Sequence, residues 1–379
     1  MKIFYIANAR IPTEKAHGLT IVKGCEAFAK AGATVTLVLP RRKTQFEKNL
    51  FETYGVARTF DVHYMPTLDA LRFSSSRLAF FIAYTTFYIS VFFLLARTKK
   101  KDTVIYTRDT PFLLFTVLGI PSVLECHHVF AKQRMYFWLA RRAKGIITIS
   151  QALRQKFISA GFKGERIQVE PSGVELATFA LDTPQDTARQ SLKLPPDSPI
   201  ILYSGNFTTM GEDKGISDIL RSLSHIPKVL FVAVGGSEKD LARYTEEAKN
   251  LHVESRVILK GFAPQATLAL YQRAADIALM PFPDTPHYRS NMSPVKMFEY
   301  MAGGRPIIAS DLPTIREVLN EKNAVLVPPD NPSALAQAIE ELLKHPERAQ
   351  EFARQAKRDV LAYSWDERTK RILSFIKLS

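Results

Sequence analysis

The chain has 379 residues, 46% apolar and 23% charged, which excludes a disordered or fibrous protein and leaves room for two domains with separate cores. A formal net charge of +14 favours anionic partners such as nucleotides, lipid phosphates or nucleic acid. Cys25 and Cys126 lie far apart without CxxC spacing, and no signal-peptide apolar stretch precedes the first strand, so a reducing cytoplasm is expected.

Short apolar runs at 2–7, 34–39, 60–65, 103–107, 122–126 and 145–149 alternate with helical stretches, the pattern of a parallel, doubly wound sheet. A second series at 200–204, 228–234, 256–260, 276–280, 306–309 and 324–327 repeats it. Two similar α/β halves are therefore expected. Their joint falls near 172–198, where Pro171, Gly173, Pro184, Pro195, Pro196 and Pro199 interrupt polar sequence.

The first strand-to-helix turn runs from Asn8 to Thr20, and Gly18 in it would let backbone approach a ligand. Plain turn chemistry explains a lone glycine equally, and no GxGxxG fingerprint is present. Leu78–Ala96 contains no charged residue and is long enough to span a bilayer. The strands on either side of it must join one sheet, which forbids spanning. Because Arg97, Lys99, Lys100 and Lys101 follow, a buried helix with one face at an anionic membrane surface is expected; a wholly buried crossover helix fits the same run.

The run 122–126 leads into His127 and His128 at the carboxyl edge of the sheet, where α/β folds bind ligands. Imidazoles there suit an acid, a base or a hydrogen-bond donor. With neither HExxH nor a DxD acidic pair, no metal site is expected. Arg108 and Asp109 end the preceding strand and either line the same cleft or form a surface ion pair.

In the second half, strand 200–204 runs into a glycine-spaced loop that places Lys214 at a helix start, without the Walker A pattern. Further on, Ser293 reads as an N-cap, Pro294 as the first helical residue, and Gly303 with Gly304 as the stop before an apolar strand. Lys296 then occupies the third helical position, where a capping box places Glu or Gln. A cation against the positive end of the helix dipole implies an anionic ligand, and Glu299 on the same face suits sugar hydroxyls. A surface lysine and an ordinary helix glutamate would explain each residue alone. Two lysines from equivalent turns of one sheet favour a diphosphate.

The repeated halves, Lys214-Gly215, and the run from Ser293 through Pro294, Val295 and Lys296 to Ala309 resemble family 4 retaining glycosyltransferases of the GT-B fold. Leu259–Phe262, Tyr271–Pro281 and Tyr363–Asp366 add to the resemblance, which covers nearly the whole chain. It implies two Rossmann-like domains with an interdomain cleft: an acceptor domain over 1–175, a nucleotide-sugar domain over 176–361, and a last helix, 362–379, crossing back to the first. By position, Glu299 matches the second glutamate of the family's E-x7-E motif, which binds the nucleotide ribose, while the first falls on Asn291. Lys214 matches the diphosphate lysine, and Asn206 stands where an arginine is usual, so Lys296 takes on more of the phosphate charge. His127 matches the active-site histidine, Gly18 the loop glycine near the diphosphate, and Gly261 with Phe262 the base pocket.

The resemblance implies metal-independent transfer of a sugar, with its anomeric configuration kept, from a nucleotide-sugar to an acceptor; the phenylalanine-rich run 78–96 and the cations after it point to a lipid-linked or glycan acceptor and to a place on the inner face of a membrane. No cofactor beyond the co-substrate is expected. A nucleotide-sugar epimerase of the same architecture, or a non-catalytic scaffold subunit suggested by Asn291, would share these features. Nothing matches an RNA-binding, zinc-finger or basic-zipper pattern, so nucleic acid is not an expected partner.

Overall fold

Residues 1–74, 76–129, 133–209 and 211–378 are described by the structure, a computed structural model. The chain divides into two compact units, Met1–Pro171 with Trp365–Ser379, and Ser172–Ser364.

The first unit is built on seven parallel strands: β1 (Lys2–Ile6), β2 (Thr34–Pro40), β3 (Asp61–Met65), β4 (Thr103–Thr107), β5 (Ser122–Cys126), β6 (Gly145–Thr148) and β7 (Ile167–Val169), in the order β3-β2-β1-β4-β5-β6-β7. β1 pairs residue for residue with Thr34–Val38 on one side and Thr103–Thr107 on the other. β4, β5 and β6 are buried at every residue, because helices cover both faces of a parallel sheet and leave no polar side to alternate with. Helix α1 (Ala16–Lys30) covers one face with Ile21, Val22, Cys25 and Phe28; a short helix, α2 (Leu50–Tyr54), lies beside it. Helix α3 (Arg77–Ala96) covers the other through Phe87, Val91 and Leu95, which pack with Phe4, Ile6, Val38 and Ile105.

The closing helix, Trp365–Leu378, belongs to this first unit. It buries Trp365, Arg368, Thr369, Ile372, Leu373 and Ile376, a helical stripe whose last three aliphatic residues join the core of Ile3, Tyr5 and Val104.

The second unit holds six parallel strands: β8 (Ile200–Ser204), β11 (Leu230–Val234), β12 (Val257–Lys260), β13 (Ile277–Met280), β14 (Ile307–Ser310) and β15 (Val325–Val327), ordered β12-β11-β8-β13-β14-β15. A small antiparallel pair, β9 (Thr208–Thr209) with β10 (Glu212–Asp213), fills the loop after β8. Sequence periodicity misses this pair, whose two-residue strands are too short to show a period, and also β7.

Candidate functional site

In the second unit the candidate residues gather where the parallel strands end. The backbone there is tightly packed: Gly235, at φ +120°, follows β11 against Gly205, and a Cβ on Gly215 would collide with the Pro281 carbonyl after β13. Gly215 N–H donates to the Asp213 carboxylate at 2.8 Å, fixing the turn that carries Lys214. Burial lowers the Lys214 ammonium to about 8, offset in part by Asp240.

The helix that leads into β14 spans Val295–Gly303, with Gly304 in the left-handed conformation at φ 64° as its stop. Its start departs from the sequence expectation. Pro294 is the N-cap rather than the first helical residue, Val295 is the first helical residue, and Lys296 the second. Ser293 does not cap, because its hydroxyl accepts from Ser172 N–H at 2.8 Å while the Ser172 hydroxyl donates to the Ser293 carbonyl at 2.7 Å. The first helical N–H groups are thus left without a side-chain cap.

Lys296 is buried, and its ammonium has no hydrogen-bond partner among the described residues. It sits 3.2 Å from the centroid of the Tyr203 ring and 5.6 Å from that of Phe282, an aromatic seat for a cation. Burial, followed by the neighbouring Lys214 charge, holds its pKa well below the ordinary lysine value. Glu299, one turn on and also buried, is raised by burial to about 7, against the opposing pull of Lys296 and a hydrogen bond from Gln265. Two buried amines whose charged forms disfavour one another, beside a reluctant carboxylate, form an arrangement that an anion bearing hydroxyls would relax.

Gly261 follows β12, with the Gly236 carbonyl 3.7 Å from where its Cβ would be, and Phe262 is largely exposed. Gly261 thus lies against the turn after β11. Asn206 follows β8, and its carbonyl accepts from the Tyr203 hydroxyl at 2.9 Å. Asn291 ends the helix Pro286–Ser290, its N–H donating to the His287 carbonyl at 2.8 Å.

In the first unit a cleft of about 770 Å³ opens at the carboxyl ends of β1, β2, β4 and β5, lined in part by Arg10, Arg42, Arg108, Asp109, His127 and His128. His127 Nε2 meets Glu125 Oε1 at 2.6 Å. Burial and then the Arg108 charge lower this imidazole to about 4, so it is neutral at pH 7. A neutral ring facing a carboxylate places its proton on Nε2 and leaves Nδ1 as an acceptor.

Glu125 is the centre of a network that its sequence context does not disclose. Its Oε1 also accepts from Arg108 at 3.0 Å and Arg368 at 3.2 Å, and its Oε2 from the Tyr106 hydroxyl at 2.5 Å. Burial alone would raise this carboxyl, yet Arg108 and Arg368 hold it well below the usual range. Arg108 is therefore not an ion-pair partner of its neighbour: Asp109 accepts from Asn8 N–H at 3.0 Å instead. Gly18 is also placed differently from expectation. It lies inside the first turn of α1 rather than before the helix, and a Cβ there would collide with the Tyr54 hydroxyl of α2 and with Thr13, so the glycine makes room for side chains of its own unit.

Residues 184–359 match the family described as Glycosyl transferases group 1, and residues 20–178 match Glycosyltransferase Family 4. The chain belongs to glycosyltransferase family 4. Among curated relatives, it is 32% identical over 213 residues to a D-inositol 3-phosphate glycosyltransferase of Xylanimonas cellulosilytica, covering 54% of this chain and 49% of that one. It is 28% identical over 200 residues to a phosphatidyl-myo-inositol mannosyltransferase of Mycolicibacterium smegmatis, covering 52% and 47%. The chain thus spans about half the length of these relatives. The Anabaena protein HepE, crystallised with UDP and glucose, superposes with a TM-score of 0.77 at 18% identity, covering 100% of this chain and 99% of that one. The fold of this glycosyltransferase-family chain is GT-B, two Rossmann-like units each with its own parallel sheet. The group 1 match takes in Asn206, Lys214, Gly261, Phe262 and the 291–299 stretch; the family 4 match takes in His127 and begins just after Gly18.

Proposed function

We propose that the protein transfers a sugar from a nucleotide-sugar to a lipid-linked or glycan acceptor, without a metal ion and with the anomeric configuration kept, at the cytoplasmic face of a membrane. The observation that carries this reading is the buried, unpartnered Lys296 ammonium beside Lys214 and one turn from Glu299. The two ammonium groups and the uncapped N–H groups of the helix Val295–Gly303 meet the diphosphate and stabilise its charge as it leaves. Glu299 accepts from the ribose hydroxyls, and the backbone at Gly261 and Phe262 faces the base. Neutral His127, oriented by Glu125, accepts a hydrogen bond from a sugar or acceptor hydroxyl through Nδ1. No side chain in this assignment acts as a covalent nucleophile, which favours attack from the face that the diphosphate leaves.

Incubation of the purified protein with a donor and candidate acceptors, followed by mass spectrometry and NMR of the anomeric proton, tests this reading. A retained-configuration glycoside supports it. Product formed without an acceptor assigns an epimerase instead. Turnover is expected to survive EDTA unchanged, since no cluster of three or more His, Cys, Asp or Glu side chains forms among the described residues. Activity lost to EDTA and restored by manganese would contradict the metal-free mechanism.

Donor affinity should also fall with rising pH. Lys214 titrates at about 8 in the free protein, and a bound diphosphate raises that value, so binding takes up a proton above pH 8. Calorimetry should record affinity falling by up to about tenfold per pH unit above 8, and a flat profile to pH 10 would remove Lys214 from the diphosphate.

A further inference from the structure

The feature that catalysis leaves unused is helix α3. Its buried residues, Ala79, Ala83, Phe87, Val91 and Leu95, recur every fourth position as a single stripe. The remaining surface is apolar as well: Leu78, Phe80, Phe81, Ile89 and Phe93 are exposed, Phe81 to 66%. Phe73, just ahead of the helix, is 84% exposed, and Val117 80%. So contiguous an apolar surface marks an interaction site.

Charge identifies the partner. Residues 70–101 include no Asp or Glu, and the helix is bracketed by Arg72 and Arg77 at one end and by Arg97, Lys99, Lys100 and Lys101 at the other. We infer that this face docks on an anionic lipid bilayer, with α3 lying in the plane of the interface. The exposed phenylalanines insert among the acyl chains, and the flanking cations meet lipid phosphates. Spanning would pull the Phe87, Val91 and Leu95 stripe off β1, β2 and β4, which it covers. A second copy fits less well, since it would bring the same six cations to the contact with no carboxylate from this segment to oppose them.

Flotation of the full chain with vesicles tests this without reference to activity, so its failure and a failure of the transferase reading are separable. At low salt the protein is expected to float with phosphatidylglycerol–phosphatidylcholine vesicles and more weakly with phosphatidylcholine alone. Raising the salt should release part of the bound protein and leave an apolar remainder. Lys99→Gln, Lys100→Gln and Lys101→Gln together should weaken binding to the anionic vesicles on the order of 100-fold at low salt. Phe81→Asp with Phe93→Asp should abolish the salt-resistant remainder at an unchanged thermal midpoint, as both side chains are exposed. Absence of flotation with either vesicle would overturn the inference. So would a dimer, seen by light scattering, that the aspartate variant disperses, since that would assign the face to a second copy.

Discussion

Lys296→Met is expected to raise the thermal midpoint of the free protein while removing most of its affinity for a nucleotide-sugar. In the free state the side chain is a buried amine with no hydrogen-bond partner among the described residues; burial and the Lys214 charge disfavour its protonated form, which Glu299 and the Tyr203 and Phe282 rings offset in part. Methionine fills similar space and needs no solvation, so the free protein should gain on the order of 1 kcal/mol. The bound state loses a charge-assisted contact to phosphate, about 1.5–3 kcal/mol, or roughly 10- to 150-fold in affinity. Thermal scanning and calorimetry read the two effects separately. A variant that is less stable and binds the donor normally would make Lys296 a structural residue.

Glu125→Gln should be the most destabilising conservative change in the first unit. The carboxylate sits between Arg108 and Arg368, both buried or nearly so, and accepts from Tyr106 and His127 as well. Glutamine leaves two guanidinium groups without their shared counter-charge, at a cost of about 3–5 kcal/mol. Arg368→Met added to the glutamine variant should recover part of that loss, because one uncompensated charge is then gone. The sign with pH follows from the depressed carboxyl: its contribution is present above the unfolded value of about 4.3 and is lost as pH falls through the lower folded value. Urea unfolding at pH 7 measures the effect, and an unchanged midpoint would mean that water already solvates the site.

The residues behind these two effects differ in how far the sequence reveals them. The strands could be read because each central one is a continuous apolar run, and 103–107, 122–126 and 200–204 fall on their observed bounds. Lys296 stood out because a cation near a helix N-terminus opposes the dipole, a conflict that exists in one dimension of sequence. Ser293 misled for the same local reason: its capping propensity is real, but Ser172, 121 positions away, takes the hydroxyl. Arg368 was invisible as a partner of Glu125, 243 positions apart, since nothing local marks either member of a long-range ion pair. A Cβ on Gly18 would meet Tyr54 and Thr13, and the sequence around position 18 does not reveal Tyr54 as its neighbour. For α3, sequence gave the apolar length, whereas only packing shows that one narrow stripe of it is buried.

The central claim is that the second unit holds a nucleotide-sugar through Lys214, Lys296 and Glu299. Titrating UDP-, GDP- and ADP-sugars calorimetrically into the wild-type chain and into Lys214→Ala and Glu299→Ala tests it most directly. At least one donor should bind the wild type, with affinity reduced by roughly tenfold or more in each variant, as expected for a charge-assisted phosphate contact in one and buried carboxylate–hydroxyl bonds in the other. Equal affinity in all three folded proteins, or no heat with any nucleotide-sugar, would contradict the account.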